Sequence, residues 1–259
     1  MKNILLYGDS NTWGFDPATT LRYPYHLRWT TICAALLGDG YNCIPAGMNG
    51  RTTAFDDPVK GSRNGIKGLD YELQTHKPLD LFVVMLGTND LKYTEAKGSA
   101  AGMEKLIELV LTANQRYNLS SPVFPERNIS AVTAAAVQSS VYNASVSPAG
   151  AVFVDTAAAG QSPVGNASFS PMHTDAAATA PILLVAPILL KAHLGAFEDD
   201  IAESARISAF YQDIAKKHRL HFMDAAMYAE PSEIDGVHLS IEGHKKLGEA
   251  IASKIKSLL

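Results

Sequence analysis

Ser10, Asp235 and His238 are residue types that together can carry acyl transfer through a serine. A serine hydroxyl is a poor nucleophile until a base takes its proton. Ser10 stands in Gly8-Asp9-Ser10, straight after a short apolar run. Its hydroxyl is therefore expected at a sheet rim, and its backbone N–H at a helix start facing the same space. His238 closes Asp235-Gly236-Val237-His238. A carboxylate three residues before an imidazole on one loop can accept the Nδ1 proton, leave Nε2 facing the serine and stabilise the imidazolium. Two more short segments offer donors to a developing oxyanion. Gly50, ending Gly47-Met48-Asn49-Gly50, has no Cβ to block approach to its N–H. Asn89, in Gly87-Thr88-Asn89-Asp90, has a side-chain amide. Losing one such donor typically costs ~10²–10³ in rate.

Each segment also has a plain structural reading. Asp9-Ser10 reads as a turn and helix cap. Gly47 to Gly50 reads as a tight turn, Thr88-Asn89-Asp90 as a cap after a strand, and Asp235 to His238 as a solvated loop. The elements around them favour the chemical reading. Ile4–Tyr7, Asp80–Leu86 and Pro181–Pro187 are short apolar runs next to glycine or proline, the pattern of buried strands, and Tyr41–Pro45 and Leu220–Asp224 read as further short strands. Leu27–Leu37, Ile66–His76, Met103–Gln115, Ile201–Lys217 and Ile241–Leu258 have helical spacing. Strands alternating with helices predict an α/β fold, a parallel sheet of about five strands covered on both faces. Ligands bind beyond the carboxyl ends of such strands. Three of the segments fall at strand ends and the fourth lies between the last strand and the last helix, so all four point to one rim.

The 259 residues are 47% hydrophobic and 19% charged, which fits a globular chain with a real core. A net charge of −4 without a basic tract argues against nucleic acid. Two cysteines exclude a disulfide framework and make a reduced, cytoplasmic setting the default. Met1–Tyr7 is too short for a signal peptide, and Ala180–Leu190 too short and proline-rich to span a membrane. The sequons at Asn118, Asn128, Asn143 and Asn166 then have no role. The other histidines lack convincing zinc spacing with nearby acids, so neither metal nor cofactor is expected. Asn118–Ala180 breaks the alternation. It is rich in alanine, serine and valine, with Glu126, Arg127, Asp155 and Asp175 its only charges. It reads as an insertion before the fourth strand of one domain spanning 1–259, with some strand character over Ile129–Val146 and Ala151–Val154.

With these segments in this order the chain resembles the SGNH hydrolases, also called the GDSL family. Gly8-Asp9-Ser10-Asn11-Thr12-Trp13-Gly14, Gly47-Met48-Asn49-Gly50-Arg51-Thr52-Thr53, Gly87-Thr88-Asn89-Asp90 and Asp235-Gly236-Val237-His238 match its blocks. The resemblance implies a flavodoxin-like α/β/α sandwich. It implies Ser10 as nucleophile, His238 as base, Asp235 as its partner, and Ser10, Gly50 and Asn89 as the oxyanion hole. The Gly-x-Ser-x-Gly elbow of other hydrolases is absent. Arg28-Trp29, Asp56-Asp57 and Leu86-Gly87-Thr88-Asn89-Asp90-Leu91-Lys92 are similar to the aryl esterase, acyltransferase and carbohydrate acetylesterase branch. That likeness implies short acyl groups, some transfer to alcohols, and homo-oligomers up to octamers. Asn118–Ala180 is the one segment not matched to the branch. Trp13, Asn11 and Met48 are expected to contact substrate. A thioesterase or lysophospholipase with the same machinery remains an alternative, as does a non-catalytic glycan-binding protein on this scaffold.

Overall fold

Alternate residues of the first strand face opposite ways, and each direction has its own apolar core. The computed structural model describes residues 1–120, 180–191, 197 and 200–259. The strands are β1 (Lys2–Gly8), β2 (Tyr41–Gly47), β3 (Leu81–Met85), β4 (Ile182–Ala186) and β5 (His221–Asp224). They form one parallel sheet in the order β2-β1-β3-β4-β5. The main helices are α1 (Ser10–Trp13), α2 (Trp29–Leu37), α3 (Leu69–His76), α4 (Ala96–Tyr117), α5 (Ile201–His218) and α6 (Ile241–Leu258). Leu5, Tyr7, Phe82, Val84 and Leu184 pack with apolar residues of α3, α4 and α5. Ile4, Leu6, Leu81, Val83 and Val185 pack with those of α2 and α6. Both faces are thus buried, which is why these strands read as continuous apolar runs rather than alternating ones. Sequence order reverses between β1 and β3, and the crevice beyond their carboxyl ends is where such sheets bind ligands.

The sequence-based boundaries differ from the structure in instructive places. The helix expected at Leu27 begins at Trp29, after a 3₁₀ turn over Tyr25–Leu27. The helix expected at Ile66 begins at Leu69. The helix expected over Met103–Gln115 begins at Ala96. Its first seven residues, Ala96-Lys97-Gly98-Ser99-Ala100-Ala101-Gly102, have no large apolar stripe to betray a helix. Small size is what packing demands there, since a Cβ on Gly102 would lie 2.1 Å from Thr53 Oγ1.

The chain divides into two compact units, Met1–Ser121 with Ala177–Leu259, and Pro122–Ala176. The second unit, and with it nearly all of the expected insertion, lies outside the described residues. At the edges of that segment Asn114 takes both backbone groups of Ala180. Its Nδ2 donates to Ala180 O and its Oδ1 accepts from Ala180 N, each at 3.2 Å. Among the described residues no helix is long and apolar enough to cross a membrane.

His244 on α6 is fully buried. Its Nδ1 accepts the Trp29 N–H at 3.2 Å, tying α6 to the start of α2. Burial, then the charges of His238 and Arg28, lower its pKa to about 3. The unfolded chain takes up this proton below the ordinary value of 6.5. The folded chain does not, so the group withdraws stability as pH falls from 6.5 towards 3, at up to about 1.4 kcal/mol per pH unit. Asp90 works the other way, because burial raises its pKa to about 7 and the fold gains as it protonates. The two partly cancel, so the informative quantity is a difference. His244→Asn keeps an acceptor at the Nδ1 position but cannot titrate. Its urea-unfolding free energy should therefore approach that of the parent between pH 7 and pH 4. Parallel curves for the two proteins would contradict this account.

Candidate active site

Asp9 caps α1, its Oδ1 accepting the Asn11 N–H at 2.9 Å. This short helix starts where β1 ends, and that places Ser10 at the sheet rim. α1 lies so close to β2 that a Cβ on Gly47 would sit 2.2 Å from the Trp13 nitrogen. Only glycine admits that approach.

The second part of the site arrives from the far end of the chain. Asp235 Oδ1 accepts the backbone N–H groups of Val237 and His238, both at 3.0 Å, folding the loop back on itself. Asp235 Oδ2 lies 2.6 Å from His238 Nδ1, and His238 Nε2 lies 3.0 Å from Ser10 Oγ. With the proton on Nδ1 held by the carboxylate, Nε2 is the face free to accept from the serine. Burial raises the Asp235 pKa, but the hydrogen bonds from His238 and the two amides outweigh it and hold the carboxyl below its ordinary value. The carboxylate is therefore ionised wherever the site would work. Phe15 packs its ring on His238, centroids 4.3 Å apart.

Asn11 joins the two halves. Its Oδ1 accepts the Leu239 N–H at 2.8 Å and its Nδ2 donates to Val237 O at 3.3 Å, so it grips the histidine loop on either side of residue 238. Asn11, expected to contact substrate, borders the pocket, with both ends of its amide bonded to backbone. Trp13 and Met48, also expected to contact substrate, are not among the residues lining this pocket. The Trp13 ring lies instead under the Arg22 guanidinium, 4.9 Å from centroid to carbon. The Met48 N–H extends the β1 ladder by donating to Gly8 O at 3.1 Å, and the chain reaches the pocket only at Asn49 and Gly50.

The remaining wall is clamped by one buried carboxylate. Asp90 Oδ1 accepts from Thr53 N, while its Oδ2 accepts from Thr53 Oγ1 and Ser99 Oγ, each at 2.7 Å. This locks the Gly47–Thr53 loop to the segment bearing Asn89. Arg51 fixes the loop from below, donating through Nη1 to Gly8 O at 2.9 Å and to Ala46 O, with its guanidinium 4.0 Å over the Tyr7 ring. Gly50 adopts φ +75, and this left-handed backbone favours glycine. Space is not the constraint, because a Cβ there would meet only Arg63 at 3.7 Å. Asn89 Nδ2 donates to Arg51 O at 3.2 Å, and its Oδ1 accepts from Lys92 Nζ at 2.8 Å, so the amide's orientation is set and one N–H remains. The backbone N–H groups of Ser10 and Gly50 donate to no other described residue.

Ser10, Gly50, Asn89 and His238 therefore border one pocket of about 190 Å³. Sequence reasoning missed Phe15, Lys60, Arg63 and Phe197, which line it as well. Nothing in their spacing marks them. It named Asp57, also a lining residue, and Lys92 only within the matched segments. The structure also gathers Glu104, Glu108 and His218, whose ligand-type atoms lie within 4.8 Å of one another. Lys217 Nζ is 2.8 Å from Glu104 there, so a cation of the protein's own already holds that carboxylate.

Fold and site together define a class, a hydrolase built on a parallel α/β sandwich with serine and imidazole at its topological switch. A model of the GDSL-like lipase/acylhydrolase family matches residues 6–177, a span that holds Ser10, Gly50 and Asn89 and stops short of Asp235 and His238. The chain belongs to that family and is a carboxylic ester hydrolase. Among curated proteins no sequence matches it significantly. Solved structures do. A carbohydrate acetylesterase from Sinorhizobium meliloti is 30% identical over 100% of both chains, with a TM-score of 0.74. A second carbohydrate acetylesterase family member from that organism is 29% identical over 100% of this chain and 99% of the other, with a TM-score of 0.73. The aryl esterase of M. smegmatis is 27% identical over 100% of both chains, with a TM-score of 0.74.

Proposed function

We propose that this protein hydrolyses short-chain, acetyl-type esters of carbohydrates or of aryl and alkyl alcohols through an acyl-enzyme, and that alcohols can replace water as acceptor. The observation that carries the reading is the unbroken relay from Asp235 through His238 to Ser10 Oγ, with steps of 2.6 and 3.0 Å. Ser10 attacks the ester carbonyl as His238 Nε2 takes its proton. His238 returns that proton to the departing alkoxide, then activates the acceptor that releases the acyl group. The N–H groups of Ser10 and Gly50 and the free N–H of Asn89 are the donors available to the oxyanion. They are fixed before substrate arrives, and that preorganisation gives such donors their value.

A pocket of about 190 Å³ is smaller than the ~300–1,000 Å³ of sites for drug-sized ligands, which favours a short acyl group. Likeness to acetylesterases and an aryl esterase points the same way. The test is a fluorophosphonate probe followed by a series of p-nitrophenyl esters. Label should appear on Ser10 alone, and kcat/KM should fall as the acyl chain lengthens beyond about four carbons. A maximum on long-chain or CoA esters would replace this reading with the thioesterase or lysophospholipase one. Absence of both label and hydrolysis would leave only a binding protein.

A further inference from the structure

The pocket around Ser10 holds more positive charge than ester hydrolysis needs. Lys60, Arg63 and Lys92 all line it, in a chain whose net charge is −4. Two acids line it too, and both are occupied. Asp9 is buried, its Oδ1 caps α1, and burial pushes its carboxyl towards the neutral form. Asp57 Oδ1 accepts the backbone N–H groups of Val59 and Lys60, both at 2.8 Å, and shapes the loop that carries Lys60. Lys92 already has work, with its ammonium on Asn89 and 4.8 Å from the centre of the Phe197 ring. Its side chain as a whole is exposed, yet that ammonium end is desolvated enough for burial to be the first cause lowering its pKa. The Lys60 charge lowers it further, Asp9 and Asp57 raise it and Arg63 lowers it again, so three cations and two acids share one field.

Lys60 and Arg63 have no ion-pair partner among the described residues. Arg63 Nε is moreover buried with no hydrogen-bond acceptor. A buried donor of this kind is costly to leave unmet. Arg63 also sits beside the pocket's glycine, since a Cβ built on Gly50 would be 3.7 Å from that Nε. The guanidinium is therefore a neighbour of one of the oxyanion donors. Its planar fork fits a carboxylate through two parallel hydrogen bonds.

We propose that the preferred substrate is an ester bearing a carboxylate a few bonds from the scissile carbonyl, held by Arg63 with Lys60. This rests on the esterase reading above and narrows its substrate class. The carboxylate would pair with the Arg63 guanidinium and add negative charge to a pocket lined by three cations. It would also hold the carbonyl over Gly50 and Asn89.

The experiment compares kcat/KM on two matched pairs with the full chain. The first pair, p-nitrophenyl butyrate and mono-p-nitrophenyl succinate, places the charge on the acyl side. The second, 4-methylphenyl acetate and 4-acetoxybenzoate, places it on the alcohol side. In one of the two pairs the charged ester should be preferred by about 10-fold or more, in keeping with a charge-assisted hydrogen bond. That ratio should fall about 10- to 100-fold in Arg63→Gln, less in Lys60→Gln, and survive in part in Arg63→Lys. It should also shrink as sodium chloride rises from about 0.02 to 0.5 M, because screening weakens exposed charges. Taking the ratio removes any general damage a variant suffers. Equal or poorer turnover of both charged esters, or a preference that outlives Arg63→Gln and Lys60→Gln, overturns the proposal while leaving the esterase reading intact. No turnover of any of the four esters sinks both.

Discussion

Replacing Ser10 with alanine should give a folded protein that hydrolyses nothing measurable. The substitution removes one oxygen from a residue that is 6% exposed. Among the described residues the only side-chain partner of that oxygen is His238 Nε2. Asp9 still caps α1, since its bond goes to the Asn11 backbone, and alanine is a good helix residue. Loss of stability should therefore stay within about 1 kcal/mol. The rate is another matter. Without a nucleophile the imidazole has nothing to activate and no acyl-enzyme forms. Removing the serine of such a unit costs on the order of 10⁴–10⁶ in kcat. The check is p-nitrophenyl acetate turnover beside the thermal unfolding curve of the same sample. A variant within ten-fold of the parent would refute the assignment of Ser10.

Asp235→Asn should cost about 10⁴-fold in kcat, with KM little changed. The reason lies in how fully the carboxylate is used. One oxygen accepts two backbone N–H groups and the other accepts from His238 Nδ1. An asparagine has only one acceptor oxygen to divide between these duties. If that oxygen keeps the two amides, the NH₂ faces Nδ1 and drives the proton to Nε2, which then cannot accept from the serine. If the oxygen serves Nδ1 instead, the NH₂ opposes two N–H donors and the loop must shift. Either way Nε2 is no longer fit to take the serine proton, so the defect should appear in kcat. An Asp235→Asn enzyme within ten-fold of the parent in kcat would mean that the carboxylate does no more than shape its loop.

Much of this molecule could be read from residue order alone. Five strands and the helices between them follow from apolar runs and helical spacing, most clearly β1, β3 and β4, which are covered on both faces and leave no polar side to blur the signal. The closing helix was legible to the residue, Ile241–Leu258, because Ser240 caps its start by accepting the Gly243 N–H at 3.0 Å. The four chemical segments were legible too, since three fall at strand ends and the fourth in the loop before the last helix. The first seven residues of α4 were not. Their small side chains are chosen for contact with another loop, and contact leaves no period in the sequence.

Sequence by itself determined which groups this protein has for chemistry, a serine after the first strand and an Asp-Gly-Val-His loop before the last helix, and the sheet that must carry them. Tertiary structure alone decided how they are held and what surrounds them. It set the 3.0 Å meeting of Ser10 with His238, the grip of Asn11 across it and the Asp90 clamp on the second loop. It also turned Trp13 away from the pocket and brought Arg63, Lys60 and Phe197 to it from loops with no pattern of their own. Periodicity reports only which side of a strand or helix is buried. Which loops meet beyond the sheet depends on packing and on hydrogen bonds between residues tens or hundreds apart, and no local spacing encodes those.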